Sequence, residues 1–390
     1  MNNTDLCTEY CIGCGLCKSE LETEFTQSDR GFIKPILKKD IDFSFLENVC
    51  PVMDKQARKN GYPLWGEALK ILSAYSADPD IRLKASSGGV LTALAIYLLE
   101  SGEVDGIIQI CADQDEPTRT VCTVSETREQ VIACCGSRYS ISSPWYNLSN
   151  QVKRDKKYAA IGKPCDISAL KRLQNKYGKY TNIKYLLSFF CAGMPSKSAN
   201  EKLLSQLGCS NTKCISLAYR GNGWPGYATA VNDAGKKYTM EYSKAWGEIL
   251  GRDVNAFCRL CMDGIGEAAD IACGDGWYIK DGKPDFSEGE GRNLTFVRNE
   301  IGCKLIKDAE DSGYLVTEEW QDIEQLKTIQ KYQYTRRTTM NARLSAYHMC
   351  NRKTPRYDKK TLREYAKSAT MKEKVMIYLG TIKRIINRKI

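Results

Sequence analysis

Cys11-Ile12-Gly13-Cys14-Gly15-Leu16-Cys17 places three thiols at a strict spacing of three, with glycine on either side of the middle one. A lone metal ion in a knuckle draws on two separate C-x-x-C pairs. A third cysteine at the same spacing suits a cubane, whose iron corners each take one thiolate. Gly13 and Gly15 permit the tight, partly left-handed backbone that wraps a cluster and aims N–H groups at its sulfurs. Leu21 stands where the bacterial ferredoxin run has its next Cys-Pro, and here that dipeptide comes at Cys50-Pro51. The spacing predicts one 4Fe–4S cluster on Cys11, Cys14, Cys17 and Cys50. Cys7 is the alternative fourth ligand, and structural zinc the rival occupant.

A second set is scattered. Cys258-Arg259-Leu260-Cys261 is one C-x-x-C pair. Cys165 and Cys191 each follow an apolar run expected to be a strand, Tyr158–Gly162 and Tyr185–Phe190, at the end where open α/β sheets place ligands. Cys165, Cys191, Cys258 and Cys261 therefore make four ligands for a second 4Fe–4S cluster, with Cys273 in reserve. Cys111, Cys122, Cys134, Cys135, Cys209, Cys214 and Cys303 read as ordinary small buried residues.

Two small-residue turns accompany these cysteines. Ser86-Ser87-Gly88-Gly89 opens an apolar helix over 90–99, and its free backbone N–H groups suit a phosphate, although a well-capped helix without a ligand has the same pattern. Gly136-Ser137-Arg138-Tyr139 adds a fixed cation and an aromatic ring. Gly61–Gly66 looks like a linker, and residues 215–245 alternate as β-hairpins do.

The 390 residues hold 18 cysteines but a single histidine, His348. One histidine removes two-His zinc proteases, Rieske centres and Ser-His-Asp triads. The start has neither a basic nor an apolar leader region, and no apolar run reaches about 18 residues, so a cytoplasmic chain with reduced, metal-binding cysteines is expected. The formal charge of +10 sits in residues 331–390, with 17 Lys/Arg against 3 Asp/Glu, leaving 40 against 44 elsewhere. Such an acidic body argues against nucleic acid as a partner. The apolar residues from Val375 to Ile386 recur at helical spacing among Lys374, Lys383 and Arg384. That pattern suits a basic amphipathic helix on the inner face of the membrane, on a partner, or on the chain's own body.

In this order the motifs resemble the coenzyme F420 hydrogenase/dehydrogenase beta-subunit family. The matching pieces are the C-x-G-C-G-x-C run, the later Cys-Pro, Ser86–Gly89, Gly136–Tyr139, Gly162-Lys163-Pro164-Cys165, Phe190–Ser196, Cys258–Cys261 and Ala269–Trp277. The resemblance covers about residues 5–310. It implies a flavoprotein that carries FAD and iron–sulfur clusters and passes electrons between two-electron and one-electron carriers. It further implies that Ser86, Ser87, Gly88, Gly89 and Gly136, Ser137, Arg138, Tyr139 hold the FAD. Similar proteins also occur in bacterial polysaccharide-synthesis gene sets.

The expected architecture is mixed α/β: a ferredoxin-like 4Fe–4S module over 1–60, a mixed-sheet body over 61–330 with the flavin and second cluster, and a basic helical tail over 331–390. With so little histidine, protons at a flavin would come from Lys163, Asp166 or Asp275, and Arg138 would offset negative charge. Two redox functions follow. One is a reductase that takes electrons from ferredoxin or another one-electron donor and delivers them to an organic substrate such as a sugar or glycan precursor. The other is an electron-transfer beta subunit of a larger dehydrogenase or hydrogenase that uses coenzyme F420 or NAD(P)H.

Overall fold

A computed structural model describes residues 4–53, 61–209 and 213–387. The end of the expected first module, 54–60, lies outside the described residues. The strands are β1 (Glu24–Gln27), β2 (Ile33–Ile36), β3 (Lys70–Ser76), β4 (Gly106–Ala112), β5 (Thr120–Ser125), β6 (Tyr158–Gly162), β7 (Ile183–Phe189), β8 (Cys214–Ala218), β9 (Tyr227–Asn232), β10 (Lys237–Glu241), β11 (Ile271–Asp275), β12 (Ile279–Lys280), β13 (Lys283–Pro284), β14 (Asn293–Val297) and β15 (Leu315–Glu319). Eight of them form one mixed sheet in the order β15-β3-β14-β11-β7-β6-β4-β5. Its middle block, β11-β7-β6-β4, is parallel, and the outer pairings are antiparallel.

Parallel strands are buried on both faces, which is why these runs are apolar without alternation. Ile107, Ala159, Leu187 and Ile271 point to one face, under the helices Val90–Glu100 and Glu300–Asp311. Their chain neighbours Ile108, Ala160 and Leu186 point to the other, where the helix Pro164–Tyr177 buries Ile167, Leu170 and Leu173 beside Trp145. The β8–β10 meander, expected from the alternation over 215–245, stands as a separate antiparallel sheet.

The first cysteine run spans a loop, residues 11–15, and the first turn of the helix Leu16–Leu21, and it rests on the body. Gly13 and Gly15 adopt φ of 70° and 90°, and a Cβ on Gly15 would lie 2.6 Å from both N and Cα of Tyr146. Only glycine meets both demands. The Trp145 N–H donates to the Cys14 carbonyl at 2.9 Å, and Ser143 Oγ donates to the Gly13 carbonyl at 2.6 Å.

Two stretches differ from their expected roles. The Gly61–Gly66 segment is closed by a Tyr62–Gly66 bridge and buries Leu64 and Trp65, whose carbonyls accept from Arg337 and Arg298. It is therefore part of the core instead of a free linker. Likewise, the helices Lys331–Thr338, Met340–Met349 and Lys359–Ala366 enter the same core as Trp65 and Phe257. Arg337 there pairs with Glu267 and donates to the Leu64 carbonyl at 2.8 Å. Part of the basic composition that marks 331–390 is spent on interior partners that lie far away in sequence. The last helix, Met371–Ile386, rests on Met340–Met349 and leaves Val375, Met376 and Leu379 exposed. Among the described residues no helix is long and apolar enough to cross a membrane.

Candidate functional site

The parallel strands end on one edge, and the loops leaving them carry most of the residues singled out above. β6 runs into Lys163-Pro164-Cys165-Asp166. Pro164 opens the next helix at a position where no N–H is needed. Asp166 accepts from the Lys163 backbone N–H at 3.2 Å, which caps that helix. The same carboxylate meets Lys163 Nζ at 2.7 Å, and Nζ also donates to Ser142 Oγ at 2.6 Å. Both side chains are buried. Burial alone would lower the Lys163 pKa, but the neighbouring Asp166 and Cys165 outweigh it and the net direction is upward, so the ammonium is held. Burial pushes the Asp166 carboxyl up, and Lys163 opposes that.

A cavity of about 990 Å³ opens over this edge. Ser86, Ser87 and Gly89 line one side, Gly136–Tyr139 another, and Lys163, Asp166 and Cys191 border it as well. Gly88 faces away: a Cβ there would stand 2.7 Å from the Ala74 carbonyl oxygen and 2.8 Å from the Asn293 nitrogen. The two loops are tied together by the Ser137 N–H, which donates to Ser86 Oγ at 2.7 Å. Two buried polar atoms of cavity-lining residues lack a partner, Asp166 Oδ1 and Arg138 Nε. The other Arg138 nitrogens donate to the carbonyls of Leu217, Pro117 and Arg119. Tyr139 sits against Trp246 with ring centroids 4.8 Å apart.

Asp275 also borders the cavity, but its carboxylate is engaged. Arg220, 5% exposed, grips it at 2.9 and 3.1 Å, and Trp224 Nε1 donates to it at 3.2 Å. Asp275 thus acts as an anchor that positions Trp224, which stacks on Trp277 at 4.4 Å.

Within each cysteine set the thiols act on one another electrostatically. Cys11, Cys17 and Cys50 oppose one another's ionisation, as do Cys14, Cys17 and Cys50. Cys7 stands with them, hydrogen-bonded to Cys50. In the second set Cys165 faces Cys191 and Cys261, and Cys191 faces Cys258. Cys273 is instead bound to Thr295, with Sγ and Oγ1 3.7 Å apart. Burial pushes the Cys11 and Cys261 thiols up to about 12 and Cys191 up to about 11.

Backbone N–H groups meet the sulfurs in both sets. Gly13 N–H donates to Cys11 Sγ and Met194 N–H to Cys258 Sγ, each at 3.3 Å. Leu16, Lys18 and Gly193 serve Cys14, Cys17 and Cys191 in the same way. Among the described residues no three His, Cys, Asp or Glu side chains gather at one ion position.

Cys111 and Cys134, taken above as inert, have a different character. Strand β4 and the end of the helix Arg128–Ala133 bring them together across 23 residues, and Cys134 borders the cavity. Cys111 Sγ is 3.6 Å from the Ala133 carbonyl oxygen. A hydrogen bond from Cys134, working against burial and helped by Arg138 and Lys84, lowers the Cys111 thiol to about 6. Only the thiolate alkylates. Iodoacetamide labelling of Cys111, followed by peptide mass spectrometry, is therefore expected to hold its rate from pH 8 to about 6.5 and to halve near 6. A rate falling about tenfold per unit from pH 8 would mark an ordinary thiol.

Sequence reasoning also missed Gln330, the last residue of the expected body, and Lys331, Tyr332 and Gln333 of the segment assigned to the tail, all of which line the cavity. Their composition is that of any polar helix, and no local signal marks them.

Family models described as coenzyme F420 hydrogenase/dehydrogenase, beta subunit N-term and C terminus match residues 71–149 and 155–323. The chain belongs to the coenzyme F420 hydrogenase/dehydrogenase beta subunit family. It is 28% identical over 278 residues to the coenzyme F420 hydrogenase subunit beta of Methanosarcina barkeri, covering 67% of this chain and 85% of the relative. It is 29% identical over 247 residues to an F420-dependent formate dehydrogenase 1 subunit beta of Methanococcus maripaludis, covering 62% and 59%. A chain of the F420-reducing NiFe hydrogenase complex from Methanosarcina barkeri superposes with a TM-score of 0.58 at 21% identity, over 76% of this chain and 98% of that one. At that identity the likeness speaks for the fold. These two relatives are named as oxidoreductase subunits, which fits the electron-transfer subunit better than a free-standing reductase.

Proposed function

We propose that this chain is an electron-transfer beta subunit of a larger oxidoreductase, exchanging electrons between a hydride carrier such as coenzyme F420 or NAD(P)H and one-electron carriers. The observation that carries this reading is the single cavity bordered by both small-residue loops, by the Lys163–Asp166 pair and by Cys191 of the second cysteine set. A flavin supplies conversion between two-electron and one-electron transfer. The cavity suits FAD: its size and the unpartnered Asp166 Oδ1 and Arg138 Nε offer room, an acceptor and a donor, and the tied Ser86 and Ser137 loops border it.

Cys11, Cys14, Cys17 and Cys50 would hold one 4Fe–4S cluster, and Cys165, Cys191, Cys258 and Cys261 another. N–H groups aimed at the sulfurs support a cluster at both sets, because such bonds stabilise bridging and thiolate sulfur charge. Ferredoxin or a partner subunit would meet the half-buried N-terminal set. The protein's own residues exclude water beneath the cavity and hold a proton on Lys163 Nζ.

Reduction of a sugar or glycan precursor by the chain alone is the second reading. It draws on the aromatic cavity wall of Tyr227, Trp277 and Phe286, with Tyr227 and Phe286 well exposed. The two are separated by reducing the anaerobically purified chain and following flavin reoxidation. Reoxidation only when a co-purifying enzyme is present supports the subunit. Reoxidation by a candidate substrate without any partner overturns it in favour of the reductase.

A further inference from the structure

Arg336 comes from the helix Lys331–Thr338, beyond the residues matched by the family models, and ends inside the second cysteine set. It is 1% exposed. Nη2 donates to the Cys191 carbonyl at 3.1 Å and to Gln333 Oε1, and Nη1 donates to the Cys258 carbonyl at 3.4 Å. Gln333 Nε2 donates to the same Cys191 carbonyl at 3.0 Å. Nε has no partner. Among the described residues none of these contacts is a carboxylate, although Asp263 acts on the nearby Cys261 and Lys163 acts on Cys191 and Cys258. Gly264 leaves the room: a Cβ there would overlap the guanidinium.

A buried cation without an anion is costly. Cys261, Tyr332, Cys191 and Cys258 all act on Arg336 electrostatically, and Tyr332 also lies under the guanidinium with its ring centroid 5.2 Å away; of these, the three thiols are the groups that cluster binding makes negative. As neutral thiols they leave the charge uncompensated. As thiolate ligands they match it, because cluster binding strips the thiol protons. Adding an electron to the loaded set makes it more negative still, so a fixed cation favours the reduced form.

We propose that Arg336 is a positioning residue for the second cysteine set, compensating its thiolates and raising the reduction potential of the cluster they hold. This rests on the two-cluster reading. The test is an EPR-monitored redox titration of the full chain, purified anaerobically, as wild type, Arg336→Gln and Arg336→Lys. In Arg336→Gln the midpoint of one cluster is expected to fall, changing the reduced-to-oxidised ratio at fixed potential at least tenfold, or about 59 mV for one electron. The other cluster is expected to stay put. Arg336→Lys keeps the charge and is expected to stay within tenfold of wild type.

An unchanged midpoint in Arg336→Gln overturns the proposal, and so does an equal fall in both variants, which would make the effect one of shape instead of charge. If Arg336→Gln does not assemble, the lysine variant decides: assembly within tenfold of wild type upholds the proposal, and loss of the same cluster overturns it. Wild-type chain with about four irons in place of about eight removes the two-cluster reading itself, a separate failure visible before any variant is made.

Discussion

Cys14→Ser is expected to halve the iron of the anaerobically purified chain, from about eight to about four per molecule, while flavin stays bound. The backbone around Cys14 is held independently of its sulfur. Gly13 and Gly15 sit in the left-handed region, the Trp145 N–H caps the Cys14 carbonyl, and Ser143 holds Gly13. A serine hydroxyl thus occupies the same place without offering a thiolate, and soft iron–sulfur centres discriminate strongly against it. The cavity loops Ser86–Gly89 and Gly136–Tyr139 make none of these contacts. Iron and acid-labile sulfide assays with EPR of the reduced chain check the result. Unchanged iron would reject this ligand set, and loss of flavin together with iron would mean the loop supports the cavity.

The arrangement gives that variant a wider meaning. Cys14 feels the charge of Asp166, and Cys165 and Cys191 feel that of Lys163. The Lys163–Asp166 pair therefore stands between the two cysteine sets and beneath the cavity. Under the two-cluster proposal, this pair would lie on the route from the first set to the second set and the cavity. Loss of the N-terminal cluster should leave the flavin reducible by a hydride donor and cut its exchange with one-electron carriers.

Much of this route was legible because its parts are local. Gly13 and Gly15 declare a tight loop, Tyr158–Gly162 and Tyr185–Phe190 are apolar runs bounded by turns, and Cys165 and Cys191 follow them closely. Spacing nominated the first cysteine set, and one C-x-x-C pair with two cysteines at expected strand ends nominated the second. The partners of charged residues were not legible, since nothing near Arg336 or Arg337 in sequence reveals Cys191, Cys258 or Glu267. Counting charges made those arginines look like a solvated tail. Asp275 was misjudged for a related reason: a carboxylate at a strand end looks available until Arg220, 55 residues away, is seen to hold it. Lys163 and Asp166 were recognised as polar residues in the right loop, but their mutual burial is a property of the packed sheet edge.

That burial gives Lys163→Met an expected loss of about 3–5 kcal/mol of stability. Removing the ammonium strands Asp166, whose Oδ1 already lacks a partner, in a buried site. Lys163→Met with Asp166→Asn removes both charges and keeps an acceptor for the Lys163 backbone N–H, so most of the loss should return. The sign of the pH response follows from the same pair. The folded-state Lys163 pKa is raised, so the wild-type contribution is fully present below the ordinary lysine value of about 10.4 and is lost as pH rises past the shifted value. In Lys163→Met the upward push of burial on Asp166 is unopposed by the lysine. That variant should be nearest to wild type in acid and fall further behind as pH rises through the shifted Asp166 pKa. Urea midpoints of the wild type and both variants across pH 5 to 8 decide it. A loss under about 1 kcal/mol for Lys163→Met, or a double variant no better than the single one, would show that the pair is solvated and does not seal the floor of the cavity.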